Sequence, residues 1–321
     1  MMRDALPRVA STLMSSSGPS VVLLAGAGVS CSSGIPDFRS PVRHPLKPEL
    51  LTATSAQRRM MSAEPTAVVS WELFQQNQLP YLELRRPFII SSNKQPPDHK
   101  PTLYHFFAAL LHKKGLLIRS YTQNIDGLDH HTPLPKDKVI AVHGSMTCMS
   151  CEGCGAGYDS EEFGRELARN IKNIYDPSDG PKESTPIPCK SCGKPLTKPS
   201  TVLYGRDLPA AFNDNVERDT AAAQLVLIAG TSLTVYPAAA LPDYAKKDCL
   251  RVVVDANYVE GSLDYERNEH DGIIMGDIDS VVLDIVDRCG WMPDMLEFRD
   301  EMCDKSRTLL DGWAAVKKPR R

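Results

Sequence analysis

Four groups of residues have the types and spacing to do chemistry. The stretch YTQNIDGLDHH, residues 121 to 131, sets Gln123, Asn124 and Asp126 directly behind the apolar run GLLIRSY. Neutral amides and a carboxylate in this position suit the vicinal hydroxyls of a sugar. His130 and His131, a few residues on, read as solvent-exposed. His143 closes a second apolar run in AVHGS. A histidine at a strand end facing a ligand crevice is a natural general base, because its ordinary pKa near 6.5 suits neutral pH.

The third group is the cysteines. CMSCEGC supplies Cys148, Cys151 and Cys154, and CKSC supplies Cys189 and Cys192. Two such knuckles can hold one zinc ion through four thiolates, a closed structural site with no position for water. Spacing leaves open which two of the first three bind. The 34 residues between Cys154 and Cys189 exceed the usual gap, so a helical excursion, SEEFGRELARNIKNIY, is expected there. The fourth group is the turn GAGVS, where Gly26 and Gly28 would let the backbone approach a pyrophosphate. It lacks the third glycine of the dinucleotide fingerprint, since residue 31 is Cys31. No acid ends a second strand about 20 residues on either. The ribose must then be held elsewhere, and Asn124 and Asp126 are placed to hold it. PDFRS adds Asp37, Phe38 and Arg39, an aromatic face and a cation able to close over a ring and its phosphates.

These residues need elements to position them. VVLLA (21 to 25), GLLIRSY (115 to 121), VIAV (139 to 142), QLVLIA (224 to 229) and LRVVV (250 to 254) are short, continuous apolar runs, which read as buried parallel strands. Helical periodicity marks PTLYHFFAALLHKKG and SVVLDIVDRC. Alternating strands and helices predict an α/β fold, a doubly wound parallel sheet whose ligands bind beyond the carboxyl ends of the strands. On that rule the turns GAGVS, TQNID, HGS, GTS and DAN fall at one edge. Two insertions interrupt the pattern, 42 to 100 with helical patches and 145 to 203 with the cysteines, and together they are expected to form a smaller lobe. The large domain then comprises 1 to 41, 101 to 144 and 204 to 290, followed by a helical tail from 291 to 321.

Composition narrows the function classes. A net charge of −3 and a pI near 6.3 leave no broad footprint for nucleic acid or an anionic membrane; the basic ending VKKPRR reads as a solvated tail. No apolar run reaches the roughly 20 residues of a membrane span, and the start lacks a secretory pattern. Nine cysteines in such a chain point to a reducing, intracellular compartment, cytoplasmic or nuclear, with metal ligands in place of disulfides.

Taken together, GAGVSCSSGIPDFRSP, YTQNIDGL, HGS, the paired knuckles and GTSL resemble the sirtuins, NAD-dependent protein lysine deacylases, in both order and spacing over about residues 8 to 291. The resemblance is strongest to the eukaryotic deacetylase branch, through KPTLYHFF and KGLLIRSYTQNIDGLD. It implies a Rossmann-like NAD-binding domain with a zinc-bearing small domain. It places Gly26, Ala27, Gly28, Asp37, Phe38 and Arg39 around the pyrophosphate and nicotinamide ribose, and Gln123, Asn124, Ile125 and Asp126 at the nicotinamide pocket. Gly230, Thr231, Ser232, Asp255, Asn257 and Ile278 would meet phosphate and adenosine, and Val202, Leu203, Tyr204 and Gly205 the acylated peptide. His143 matches the catalytic histidine, with Asn124 beside it in the chemistry. Counting eight residues from His143 selects Cys151 and Cys154 for zinc with Cys189 and Cys192, leaving Cys148 spare.

The implied reaction is attack of an acyl-lysine carbonyl oxygen on the nicotinamide ribose of NAD, with release of nicotinamide, free lysine and O-acyl-ADP-ribose. The implied partners are acylated protein substrates, histone tails among them. Three departures stand out. LYGR (203 to 206) replaces the usual FFGE and reverses a charge, which predicts a preference for acidic residues around the target lysine. DAN replaces the usual adenosine-binding segment, and no Tyr-x-x-Arg pair is present for succinyl groups, which favours neutral acyl chains. Mono-ADP-ribosyl transfer, an oxidoreductase with structural zinc and a non-catalytic binding module remain the alternatives at this point.

Overall fold

The computed structural model describes residues 5–35, 47–92, 98–261 and 263–316. Its strands are β1 (Val21–Ala25), β2 (Leu117–Thr122), β3 (Val139–Ala141), β4 (Gly144–Cys151), β5 (Gly157–Tyr158), β6 (Thr197–Thr201), β7 (Leu225–Ala229), β8 (Leu250–Asp255) and β9 (Asp271–Met275). The described residues fall into two compact units, 5–35 with 99–142 and 208–316, and 47–92 with 98 and 143–207.

In the first unit six strands pair in the order β3-β2-β1-β7-β8-β9, every pair parallel. β1 and β7 are buried along their whole length, which is why their sequences show no polar alternation. Alternate side chains still go to opposite faces. Val21, Leu23 and Ala25 pack with the helices Leu103–Lys113 and Ile278–Arg288, while Val22 and Leu24 pack with Phe212, Val216 and Leu241. Numbered along the sheet, the order is 3-2-1-4-5-6, that of dinucleotide-binding folds, and its reversal between β1 and β7 defines the crevice where such folds bind ligand.

The periodicity of residues 103 to 113 is realised as a helix that ends in a turn at Gly115, with φ +74°, so β2 begins two residues later than the apolar run and extends to Thr122. Several elements of this unit have no counterpart among the predicted ones, helix Ala5–Ser15 and β9 among them. Helix Ala5–Ser15 buries Ala5, Val9 and Leu13 in the core. β9 carries only five residues, with Asp271 at its start and Met275 exposed. The segment after residue 291 also belongs to this unit: Met295, Phe298, Met302 and Leu310 enter the same core, and Phe298 stacks on Phe106 at 5.4 Å.

In the second unit β4 pairs antiparallel with β5 and β6. Around them lie the helices Ser55–Ala63, Trp71–Gln76, Leu79–Ser92 and Ser160–Asn170. Helix Leu79–Ser92, which contains Pro87, was not among the expected elements. It ties the excursion between the knuckles to the rest of the unit: Arg86 Nε donates to Ile171 O (2.9 Å), its Nη1 to Asp179 (2.6 Å), and Gln78 donates to Ile187 O (3.1 Å). Among the described residues no helix is long and apolar enough to cross a membrane.

Candidate active site and metal centre

The glycine turn leaves β1 at the carboxyl edge of the sheet. Gly26 N donates to Ala229 O and Gly28 N to Gly230 O, both at 2.9 Å. The two turns interlock so closely that a Cβ on Gly26 would lie 2.5 Å from Thr231 Cβ, and one on Gly28 2.6 Å from Gly230 Cα. Gly230 itself has φ +64°, a region reserved in practice for glycine. Gly26 and Gly28 thus have a packing role beside the phosphate approach expected of them. Their missing side chains admit the neighbouring turn, and that packing sets the shape of the crevice floor.

Behind this floor stands a hydrogen-bonded trio. Asn124 Nδ2 donates to Ser30 Oγ (3.1 Å), and Ser30 Oγ donates to Asp126 Oδ2 (2.7 Å). The other carboxylate oxygen of Asp126 accepts from Leu128 N (3.0 Å), and Thr122 Oγ1 accepts from Asn124 N (3.1 Å). Ser30 is fully buried and Asn124 nearly so. Amide, hydroxyl and carboxylate are thus fixed in one line, with Ile125 partly exposed between them. Ser30 was not foreseen as part of the site, because its partners lie more than 90 residues away in sequence. Thr231 Oγ1 donates to Gln123 Oε1 (3.3 Å), which joins the turn after β7 to the turn after β2.

Farther along the same edge a cleft of about 110 Å³ is lined by Gly28, Val29, Cys31, Ser32, Asp255, Ala256, Asn257 and the run Gly276 to Asp279. Four predicted residues, Gly28, Asp255, Asn257 and Ile278, line it. One oxygen of Asp255 is taken by Asn257 N (2.9 Å). Ser232 lies outside that lining and pairs with Thr234 (2.8 Å). Asp277, Asp279, Cys31 and Ser32 also line the cleft, and the sequence offered no reason to choose them. The volume is below the roughly 300–1,000 Å³ of a complete small-molecule site, so the cleft suits one end of a dinucleotide. Its acidic and amide groups match a hydroxyl-rich ligand. Asp37, Phe38 and Arg39 lie outside the described residues, so the cation expected at the phosphates has no described position.

β3 ends at Ala141, and Val142 N donates to Thr122 O (2.8 Å). The next residue, His143, opens the second unit and is half-buried. Its carbonyl accepts from Val202 N (2.8 Å), which holds the start of the predicted peptide segment. Gly144 follows with φ +75°, and a Cβ there would collide with Ser200 O at 1.9 Å. Tyr204 bridges to Ser70, with Trp71 N donating to Tyr204 O (2.9 Å) and Tyr204 N to Val69 O (3.1 Å). Leu203 is buried, whereas Tyr204 and Gly205 are exposed. Arg206 is not a bare cation. Its guanidinium lies 4.7 Å above the Trp71 ring and 3.2 Å from Glu152, which also pairs with buried Lys198 (2.8 Å). Burial pushes Lys198 below the usual lysine range, with Glu152 opposing it.

The four sulfurs of Cys151, Cys154, Cys189 and Cys192 lie within 4.8 Å of one another. Two of the separations, Cys151 to Cys192 and Cys154 to Cys189, are 3.7 Å. Sulfurs about 2.3 Å from a tetrahedral zinc would be about 3.8 Å apart. Cys189 is held down to about 6 by the backbone N–H groups of Cys192 and Ser191, while burial pushes Cys151 up. A cation is the group that lets four such thiolates share one space. The residues therefore fit zinc, and the ambiguity among the first three cysteines resolves with Cys148 left exposed and outside the cluster.

The comparisons with known proteins agree with this geometry. The family model described as "Sir2 family" matches residues 26–237. The chain is 33% identical over 296 residues to "NAD-dependent protein deacetylase hst2" of Schizosaccharomyces pombe, covering 92% of this chain and 79% of the relative. It is 30% identical to "NAD-dependent protein deacetylase sirtuin-3" of Mus musculus, covering 96% and 81%. "NAD-dependent deacetylase sir2A" of Dictyostelium discoideum is longer: 91% of this chain matches it at 30% identity but spans only 53% of its length. On the strength of the sheet order, the four-cysteine cluster and these matches, the chain belongs to the Sir2 family.

Proposed function

We propose that this chain is an NAD-dependent protein deacetylase, removing acetyl or another neutral acyl group from lysine in protein substrates, with nicotinamide and O-acyl-ADP-ribose as products. The observation that carries the reading is the Asn124–Ser30–Asp126 hydrogen-bonded line at the carboxyl edge of the sheet in a Sir2-family chain. When bound, NAD would supply a ribose carbon whose glycosidic bond breaks as the acyl oxygen of the substrate bonds to it, with nicotinamide as the leaving group. Everything else is positioning and proton transfer by the protein.

Asn124 and Asp126 orient the nicotinamide ribose, and because Ser30 locks both, the reactive geometry is populated before substrate arrives. Gln123 and Ile125 line the nicotinamide pocket. Gly26, Ala27 and Gly28, with Asp37, Phe38 and Arg39, enclose the pyrophosphate. Gly230, Thr231, Ser232, Asp255, Asn257 and Ile278 hold the adenosine half. His143 accepts a proton from a ribose hydroxyl on its imidazole nitrogen. Val202, Leu203, Tyr204 and Gly205 receive the acylated peptide, and Arg206 favours acidic residues beside the lysine. That preference is modest, since Glu152 already offsets part of the charge. One zinc ion held by Cys151, Cys154, Cys189 and Cys192 keeps the second unit folded and takes no part in the chemistry. The compartments this implies are the cytosol and the nucleus.

The test is to incubate the chain with NAD and an acetyl-lysine peptide and to identify products by mass. Nicotinamide with O-acetyl-ADP-ribose supports the proposal, provided His143→Ala abolishes both. Formation of NADH would instead mark an oxidoreductase, and transfer of NAD-derived label onto protein would mark an ADP-ribosyltransferase.

A further inference from the structure

The cleft at Asp255 to Asn257 has a back wall contributed from the far end of the chain. Asp279 lines the cleft and is almost fully buried. Its Oδ2 accepts from Ser306 Oγ at 2.5 Å and its Oδ1 from Tyr104 N at 3.3 Å. Ser306, fully buried at the start of helix Asp304–Val316, accepts in turn from Leu103 N (3.1 Å) and touches Cys303 Sγ (3.1 Å). Cys303 Sγ donates to Ser32 O (3.4 Å), and Cys303 N donates to Pro101 O (2.9 Å). The contacts form a chain: Asp279 to Ser306, Ser306 to Cys303, and Cys303 to the main-chain carbonyl of Ser32. Its two ends, Asp279 and Ser32, line the cleft, and the two links between them come from the segment after residue 291.

We infer that Ser306 is a positioning residue for the adenosine end of the cofactor, acting through Asp279, and that the terminal helix is part of the cofactor site. The inference rests on the proposed use of the cleft for NAD. Its physical basis is that a buried carboxylate takes its direction from its donors. Tyr104 N remains when the Ser306 hydroxyl is removed, but the oxygen that Ser306 holds then loses its donor and is free to rotate, and the contact of Ser306 with Cys303, which holds the Ser32 carbonyl, is lost with it. Ser306 itself touches neither cofactor nor substrate in this arrangement, so its loss weakens binding and leaves the proton-transfer groups in place.

The experiment measures ADP-ribose affinity by calorimetry, together with the KM for NAD and kcat, for the full-length zinc-loaded chain and for Ser306→Ala. The expected result is about a tenfold weaker Kd and a matching rise in KM, the scale of one hydrogen bond to a charged group, with kcat at saturating NAD falling less than twofold. Ser306→Cys, nearly isosteric, should recover part of the affinity. An unchanged Kd, or a fall in kcat at constant KM, overturns the inference. A measurement on the unaltered protein guards against a variant that does not fold: ADP-ribose should slow hydrogen exchange at amides 303–310 as well as in the cleft loops. Protection confined to the loops overturns the inference as well. If the unaltered chain binds neither NAD nor ADP-ribose, it is the NAD reading that fails.

Discussion

Replacing Ser30 by alanine tests how the site is held together. The substitution removes the donor to Asp126 and the acceptor of Asn124 in one step. The bond to the carboxylate is worth about 1.5–3 kcal/mol, and a buried amide left without its acceptor costs about 1–3 kcal/mol. Part of this is recovered, because Asp126 is only half-buried and can take up water, so a net loss of about 2–4 kcal/mol is expected. At about 2–4 °C per kcal/mol for a domain of this size, the melting temperature should fall by roughly 5–15 °C. The effect on chemistry is separate. With Asn124 and Asp126 free to move by about 1 Å, kcat/KM should drop on the order of 100-fold, measured as nicotinamide released from NAD and an acetyl-lysine peptide below the melting range. A variant that melts earlier yet keeps kcat/KM within threefold would refute the reasoning, because the trio would then be a structural brace only.

Four further outcomes are expected. Gly230→Ala should destabilise the first unit by more than about 2 kcal/mol, seen in thermal melts, since the residue sits at φ +64° with Val29 N 2.6 Å from the new Cβ. Arg206→Glu should reverse a preference for acidic over neutral peptides of no more than about fivefold in kcat/KM, the ceiling of a partly exposed ion pair; equal turnover of all peptides by the parent chain would remove the basis for it. Metal analysis should find close to one zinc per chain, and Cys192→Ser should lose the metal and the melting transition of the second unit. Burial alone would raise the Asp219 carboxyl, but hydrogen bonds from Arg119, Tyr121 and Arg218 outweigh it and hold it below the usual range. Its contribution to stability is therefore present above the unfolded pKa of about 3.9 and is lost as pH falls through the lower folded value. The gap in melting temperature between parent and Asp219→Asn should accordingly be wide at pH 7 and shrink below about pH 4.

What the sequence reveals divides along physical lines. β1, β7 and β8 are legible because both faces of the sheet are covered, which leaves continuous apolar runs. β9 is not, because Met275 is exposed and Asp271 pairs with Arg251 (2.7 Å) in place of apolar neighbours. Helix Leu79–Ser92 is hidden by Pro87 and by buried Glu83 and Arg86, whose charges are satisfied only by partners far along the chain, such as Thr52, Ser184 and Asp179. Cysteine spacing narrows the metal ligands to five candidates, and only the placement of the sulfurs removes Cys148. Within the candidate site, amides and acids in a polar turn advertise themselves. Ser30 and Ser306 do not, since a serine's role here depends on which carboxylate the fold brings to it.

The metal cluster also says something about how this chain can change. It staples together the two ends of a 34-residue excursion, and once the ends are fixed, doubling the length of such a loop costs only about 0.6 kcal/mol. Two of the contacts that fasten the excursion to helix Leu79–Ser92, from Gln78 and Arg86, reach main-chain carbonyls, which any residue can provide. Here new surface can accumulate, or an inserted module be tolerated, while the dinucleotide fold and its glycine floor stay untouched.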